Sequence, residues 1–131
     1  MEIAARLLLD THTLLWWVNA DPMLSGRVRI AVKQAEEVLV SAASAWEMAI
    51  KSNMGRLPSA LDLLVDFESA LAKDGFRAIS ITAAHGIRAG QLPGPHKDPF
   101  DRMLIAQAQA ENLTVVSNDT VFDHYGVRRL W

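Results

Sequence analysis

Four short apolar runs, Arg6 to Leu9, Val38 to Val40, Phe76 to Ile81 and Leu113 to Val116, punctuate the chain, and between them apolar residues recur at helical spacing. Such runs read as buried strands, and the intervening segments as amphipathic helices. Leu14, Leu15 and Val18 share a helix face after the junction Asp10-Thr11-His12-Thr13, and Ser25 is placed to cap a second helix through about Ala35, with Val28, Ala31, Val32 and Ala35 on one face. Strands and helices alternating in this way argue for a parallel sheet, because parallel neighbours need a crossover long enough to hold a helix. Such a sheet is covered on both faces. Val127 to Leu130 reads as a last edge strand.

The remaining helices follow from their punctuation. A third begins at Ala45, after Ser41-Ala42-Ala43-Ser44, and ends at Gly55. A fourth opens at Pro58-Ser59 and carries Leu61, Leu64, Val65, Phe67 and Leu71 to Asp74-Gly75; a short one starts near Ala83. Gln91 to His96 is the most turn-rich segment and leads into a helix with Asp98 as N-cap and Pro99 at its first position. No linker or repeat divides the 131 residues, so one domain, 1–131, is expected. The net charge of −2 excludes a globally basic nucleic-acid footprint, and the absence of cysteine excludes disulfide and thiolate-metal chemistry. Leu7-Leu8-Leu9 is cut short by Asp10, too soon for a leader or membrane segment, so the expectation is cytoplasmic, with no membrane partner.

All strands of a parallel sheet point the same way, so their C-terminal ends and the helix N-termini share one edge, where ligands bind. Asp10 ends the first strand, Glu47 lies at the start of the helix after the second, Asp101 starts the helix before the fourth, and Asp119 follows the fourth. Each has a capping role available: Asp10 and Asp119 as N-caps, Glu47 as the last residue of the box Ser44-Ala45-Trp46-Glu47, and Asp101 reaching back from N3. Capping leaves unexplained why Glu47 aligns with Ile50 and Met54, and Asp101 with Leu104, Ile105 and Ala108, on stripes that should face inward. No Lys or Arg is evident at those junctions as a neutralising partner, whereas Asp98 aligns with Arg102 as an ordinary solvated pair. Gathered carboxylates repel, and a hard divalent cation relieves that repulsion. Oxygen ligands alone favour Mg²⁺ or Mn²⁺ over Zn²⁺, and such a site suits phosphodiester hydrolysis.

Leu8-Leu9-Asp10-Thr11-His12, Ser44 to Lys51, His96 to Ala108 and Val116-Ser117-Asn118-Asp119 resemble, in order, the signature blocks of PIN-domain ribonuclease toxins of the VapC type. The resemblance covers essentially the whole chain. It implies a three-layer α/β/α PIN-like domain with a central parallel sheet of four or five strands. It further implies a Mg²⁺- or Mn²⁺-dependent endoribonuclease toxin, inhibition by a VapB-like antitoxin, and a homodimer. The family's acidic positions fall on Asp10, Glu47, Asp101 and Asp119. Asp10 and Asp101 are then direct metal ligands, Glu47 a ligand or the group that orients and deprotonates water, and Asp119 a ligand directly or through water. Ser117 and Asp98 support this set, Ser117 by a hydrogen bond to a metal-bound water.

Lys51, Lys97 and Arg102, with His96 and Arg56, are candidates for RNA phosphate contacts. Trp16, Trp17 and Trp46 are expected to pack rather than stack on bases, and His12 is expected to pack. A PIN-like module that binds RNA or protein without catalysis is the alternative, and the intact acids argue against it. A phosphate-accepting Asp10 is disfavoured because His12, not a second Asp, stands two residues on.

Overall fold

The computed structural model describes residues 5–57 and 60–131. Five strands, β1 (Arg6–Leu9), β2 (Glu37–Ser41), β3 (Arg77–Ile79), β4 (Thr114–Val116) and β5 (Arg129–Leu130), form one sheet in the order β3-β2-β1-β4-β5. Every neighbouring pair is parallel. Helices α1 (Thr11–Val18) and α2 (Gly26–Gln34) connect β1 to β2, and α3 (Ala42–Asn53), α4 (Leu61–Val65) and α5 (Phe67–Lys73) connect β2 to β3. The chain then passes through α6 (Ala83–Gln91) and α7 (Pro99–Glu111) to β4, on the other side of β1, and a 3-10 helix, Thr120–Tyr125, leads to β5.

Alternation along the strands divides the core in two, because successive side chains leave opposite faces of a pleated sheet. Leu7, Leu9, Val38, Val40 and Val116 pack with Leu14, Val28, Val32, Met48, Leu63 and Leu71 on one face. Leu8, Leu39 and Val115 pack with Leu104, Ile105, Ala108 and Phe122 on the other. Leu8, Val40 and Val115 are completely buried, each contributing about 1.5–3 kcal/mol through removal of apolar surface from water. Among the described residues no helix is long and apolar enough to cross a membrane.

Two helices differ from the sequence expectation. Helix α3 begins at Ala42, not Ala45: Ser41 ends β2 and also caps the helix, its hydroxyl accepting from the Ala43 N–H at 3.0 Å. Strand passes into helix with no intervening loop, so the proposed box ending at Glu47 does not form. The expected long fourth helix is broken at Asp66, whose backbone is non-helical (φ −146°, ψ 84°) and whose side chain accepts from the Ser69 N–H to start α5. The break turns Leu61 and Val65 to solvent and leaves Leu63 and Leu71 in the core. The proposed start at Pro58-Ser59 lies outside the described residues. The third strand spans only Arg77–Ile79, although Phe76 before it is buried.

Candidate active site

From the central strand β1 the chain moves to β2 in one direction and later to β4 in the other, so β1 and β4 flank a topological switch point. The crevice outside their C-terminal ends is where open α/β sheets bind ligands. A cleft of about 450 Å³ opens there, lined by Asp10, Thr11, His12, Trp16, Glu47, Lys51, Asp98, Asp101, Asn118 and Asp119. The four acids singled out in the sequence come from four separate elements, Asp10 after β1, Glu47 in the second turn of α3 and not at its start, Asp101 in the first turn of α7 and Asp119 after β4, and all four line its wall.

Asp10 follows β1 directly. Its N–H donates to the Val116 carbonyl at 3.2 Å, as does the Thr13 hydroxyl at 2.8 Å, which ties the mouth of α1 to the end of β4. Its Oδ1 accepts from the Thr13 N–H at 2.8 Å, so Asp10 caps α1. Asp119 likewise caps the 3-10 helix through Oδ1, accepting from Val121 N–H at 2.9 Å, while its own N–H donates to the fully buried Ser117 Oγ at 3.0 Å. Capping and ligation are not alternatives here, because a carboxylate has two oxygens. Among the described residues Oδ2 of Asp10 and of Asp119 has no hydrogen-bond partner, and the same holds for Oδ1 of Asp101.

Asp101 sits in the first turn of α7, on the face of the buried Leu104, Ile105 and Ala108. Asp98 performs the capping, accepting from the Phe100 and Asp101 N–H groups. Asp101 does not reach back to the cap; its Oδ2 meets His96 Nε2 at 2.9 Å. Burial pushes the Asp101 carboxyl above the ordinary aspartate value of 3.8; the His96 hydrogen bond opposes this in part, and the negative charges of Asp98 and Asp119 push it up further.

Glu47 is 8% exposed and both of its oxygens are occupied. Thr11 Oγ1, itself 3.0 Å from Ser44 Oγ, donates to Oε1 at 2.6 Å, and Lys51 Nζ donates to Oε2 at 2.7 Å. The expectation that no cation neutralises this acid is therefore corrected: Lys51, one turn along α3, does so. The i,i+4 spacing made the pair readable in the sequence. Glu47 is buried beside Ala43 and Ser44, whereas Ile50 and Met54, taken as its inward companions, are 38% and 60% exposed.

The expected Asp98–Arg102 pair is absent. The Arg102 guanidinium instead donates to three carbonyls of the preceding segment, Ala89 at 3.2 Å, His96 at 2.9 Å and Leu92. Backbone carbonyls collect on one side of that turn-rich loop, and a planar fork of donors satisfies them together. Lys97 is exposed, outside the cleft lining. Trp16 and Trp17 pack as expected, against Trp131 and Phe76, while Trp46 rests edge-on against Phe100 and remains 59% exposed. His12 tilts against Trp16 in the cleft wall. Thr11, which holds Glu47, carried no sequence signal beyond its place beside Asp10.

The donor set suits a hard divalent cation: oxygens only, three carboxylates each with an oxygen to spare, and mutual repulsion that an ion would relieve. Among the described residues no three Asp, Glu or His side chains already converge closely enough to chelate one. Side-chain rotation within the cleft would therefore accompany binding.

The comparisons with known proteins agree with this architecture. The PIN domain family model matches residues 7–127. The chain is 31% identical over 114 residues to Ribonuclease VapC22 of Mycobacterium tuberculosis, a match that covers 86% of each. Its fold is similar to that of FitAcB from Neisseria gonorrhoeae, with a TM-score of 0.68 and 21% identity over 95% of this chain and 96% of that one. It is also similar to a chain of VapBC2 from Rickettsia felis bound to a promoter DNA fragment, with a TM-score of 0.66 and 17% identity over 95% and 96% of the two. A parallel sheet with acids gathered at its switch point, and a family match spanning nearly the whole sequence, lead to one conclusion: the chain belongs to the PIN domain family.

Proposed function

We propose that this protein is a metal-dependent endoribonuclease toxin that hydrolyses RNA phosphodiester bonds in the Asp10–Glu47–Asp101–Asp119 cleft and is neutralised by a VapB-like antitoxin. The observation that carries this reading is that four acids from four separate elements line one cleft. The likeness to a ribonuclease of the VapC group supports the substrate class, and the likeness to a chain of VapBC2 supports the antitoxin.

Asp10, Asp101 and Asp119 offer the oxygens that would hold the ion. A bound Mg²⁺ or Mn²⁺ supplies a water of lowered pKa and positive charge beside the phosphate oxygens. Glu47, fixed by Thr11 and Lys51, orients the attacking water and accepts its proton when Lys51 turns to a phosphate. Ser117 holds the Asp119 backbone in place, and Asp98 orders the first turn of α7. Lys51, once it turns from Glu47, and the exposed Lys97 and Arg56 contact RNA phosphates; Arg102, with its three carbonyl contacts, supports the loop before α7. The protein acts as a homodimer, which light scattering would test.

The decisive experiment is cleavage of a mixed RNA pool by purified protein with Mg²⁺ or Mn²⁺, with EDTA, and with Asp101→Asn. Metal-dependent cleavage lost in the variant is the expected result. Metal-independent cleavage, or full activity of Asp101→Asn, would overturn the mechanism. RNA binding that survives loss of all four acids, without cleavage by the intact protein, would favour a binding module.

A further inference from the structure

Beside the acidic cleft lies a second cavity of about 550 Å³, walled by Pro93, Gly94, Pro95 and His96 on one side and by Val121, His124 and Tyr125 on the other. Three features set it apart from an incidental surface hollow. It adjoins the cleft through two contacts: His96, which lines the cavity, holds Asp101 Oδ2 at 2.9 Å, and the short helix that begins at the cap Asp119 ends at Tyr125. Its walls are also anchored. Arg102 grips the carbonyls of Leu92 and His96, and Gln109 Nε2 donates to the Tyr125 carbonyl at 3.1 Å, so both walls are tied to α7. Finally, it contains an unsatisfied polar atom. The Tyr125 hydroxyl is buried without a hydrogen-bond partner, one of two such side-chain atoms among the described residues.

Gly94 explains how that hydroxyl comes to lie so close to the loop. Its φ is +96°, and a Cβ at this position would sit 2.9 Å from Tyr125 Oη. Only glycine admits both the backbone conformation and the approach. An orphaned buried hydroxyl is destabilising unless a partner arrives, and a shift of the Gly94 turn that covers it would bring this oxygen to the polar edge of a ligand in the cavity. The surrounding surface is prolines and the rings of His96, His124 and Tyr125, which suits stacking on a planar heterocycle, and no Lys or Arg lines it to hold a free phosphate.

We infer that this cavity binds the base of a nucleotide adjoining the scissile phosphate, with Tyr125 Oη reading its polar edge and the His124 ring and Pro93–Pro95 turn covering its faces. The inference rests on the ribonuclease reading for its substrate class. It assigns base preference to residues outside the acidic set.

Two measurements with Tyr125→Phe, which removes only the hydroxyl, and His124→Ala, at an exposed position, test it. In the first, the four nucleoside 5′-monophosphates are titrated into metal-free protein while the ring resonances of Tyr125 and His124 are followed by NMR. One nucleotide should shift both rings and bind roughly tenfold more tightly than the least favoured, and Tyr125→Phe should erase most of that preference. In the second, the ends released from a randomised RNA with Mg²⁺ are sequenced. The variants should change base preference at one position beside the cut and leave the other positions unchanged. Nucleotides that leave both rings unperturbed, or cut-site preferences identical in wild type and variants, would overturn the base pocket while leaving the nuclease reading intact. Selective nucleotide binding at these rings by a protein that cleaves no RNA would overturn the nuclease reading and uphold the pocket.

Discussion

The two ends of the sheet treat carboxylates in opposite ways. At the N-terminal ends of the strands, Glu37 of β2 lies between Arg6 of β1, at 3.0 Å, and Arg77 of β3. Those guanidiniums, Arg77 foremost, hold its carboxyl below the ordinary value of 4.5. At the C-terminal ends, burial lifts the Asp101 carboxyl above the ordinary value, the charges of Asp98 and Asp119 add to the rise, and His96 opposes it in part. One end matches each charge with its opposite and so strengthens the fold. At the other end Lys51 pairs with Glu47, but among the described residues Asp10, Asp101 and Asp119 have no Lys or Arg partner, an arrangement that favours a cation more than it favours folding.

Four measurements would break or sharpen this contrast. The largest effect is expected at the acidic end: Asp101→Asn should lower RNA cleavage on the order of 10²–10⁴-fold, read as single-turnover rates under saturating Mg²⁺. Unchanged rates would mean that the gathered acids serve no chemistry. Next, Thr11→Val removes the hydroxyl donated to Glu47 Oε1 and should reduce cleavage roughly 10–100-fold with the melting temperature little altered, since it disturbs orientation more than packing. A variant as active as wild type would show that Glu47 needs no orienting.

At the opposite end, Glu37→Gln should destabilise the protein at pH 7 by about 1 kcal/mol, the partly exposed pairs being screened by solvent. Because the folded-state value of Glu37 is lowered, its contribution is complete above the ordinary value and disappears as pH falls through the lowered one. Urea denaturation of wild type and variant should therefore converge in acid, and a constant difference down to pH 2 would refute the ion-pair account. The smallest effect has the opposite sign. Asp101 is raised, so its ionised form weakens the fold progressively as pH rises above the ordinary value of 3.8. Asp101→Asn should accordingly melt no lower than wild type at pH 7 without metal, by calorimetry, and a clear loss of stability would reverse the contrast.

Much of this was legible in the sequence for identifiable reasons. Short apolar runs became strands because parallel strands are buried on both faces, and Asp98-Pro99 became a helix start because a cap and a proline at N1 have no better use. The gathering of the four acids at one cleft was readable only as a pattern. Glu47 was placed inward by aligning it with Ile50 and Met54, yet those face solvent, and the helix start assumed for it was three residues late. The break at Asp66 escaped because the apolar spacing continues across it, and periodicity does not register a single residue that leaves the helix to cap the next.

The sequence by itself determined the alternation of strand and helix, the parallel sheet, and the junctions at which acids stand, because these follow from burial period and capping chemistry within a few residues. Tertiary structure alone decided which groups meet. Lys51 was within reach of inference, but the His96–Asp101 contact, the three carbonyls held by Arg102, and the approach of Tyr125 to Gly94 depend on how a turn-rich loop packs against α7 and the helix after β4. Contacts of this kind join residues whose separation in the chain carries no period. They are set by closure of the fold and not by any local preference of the residues themselves.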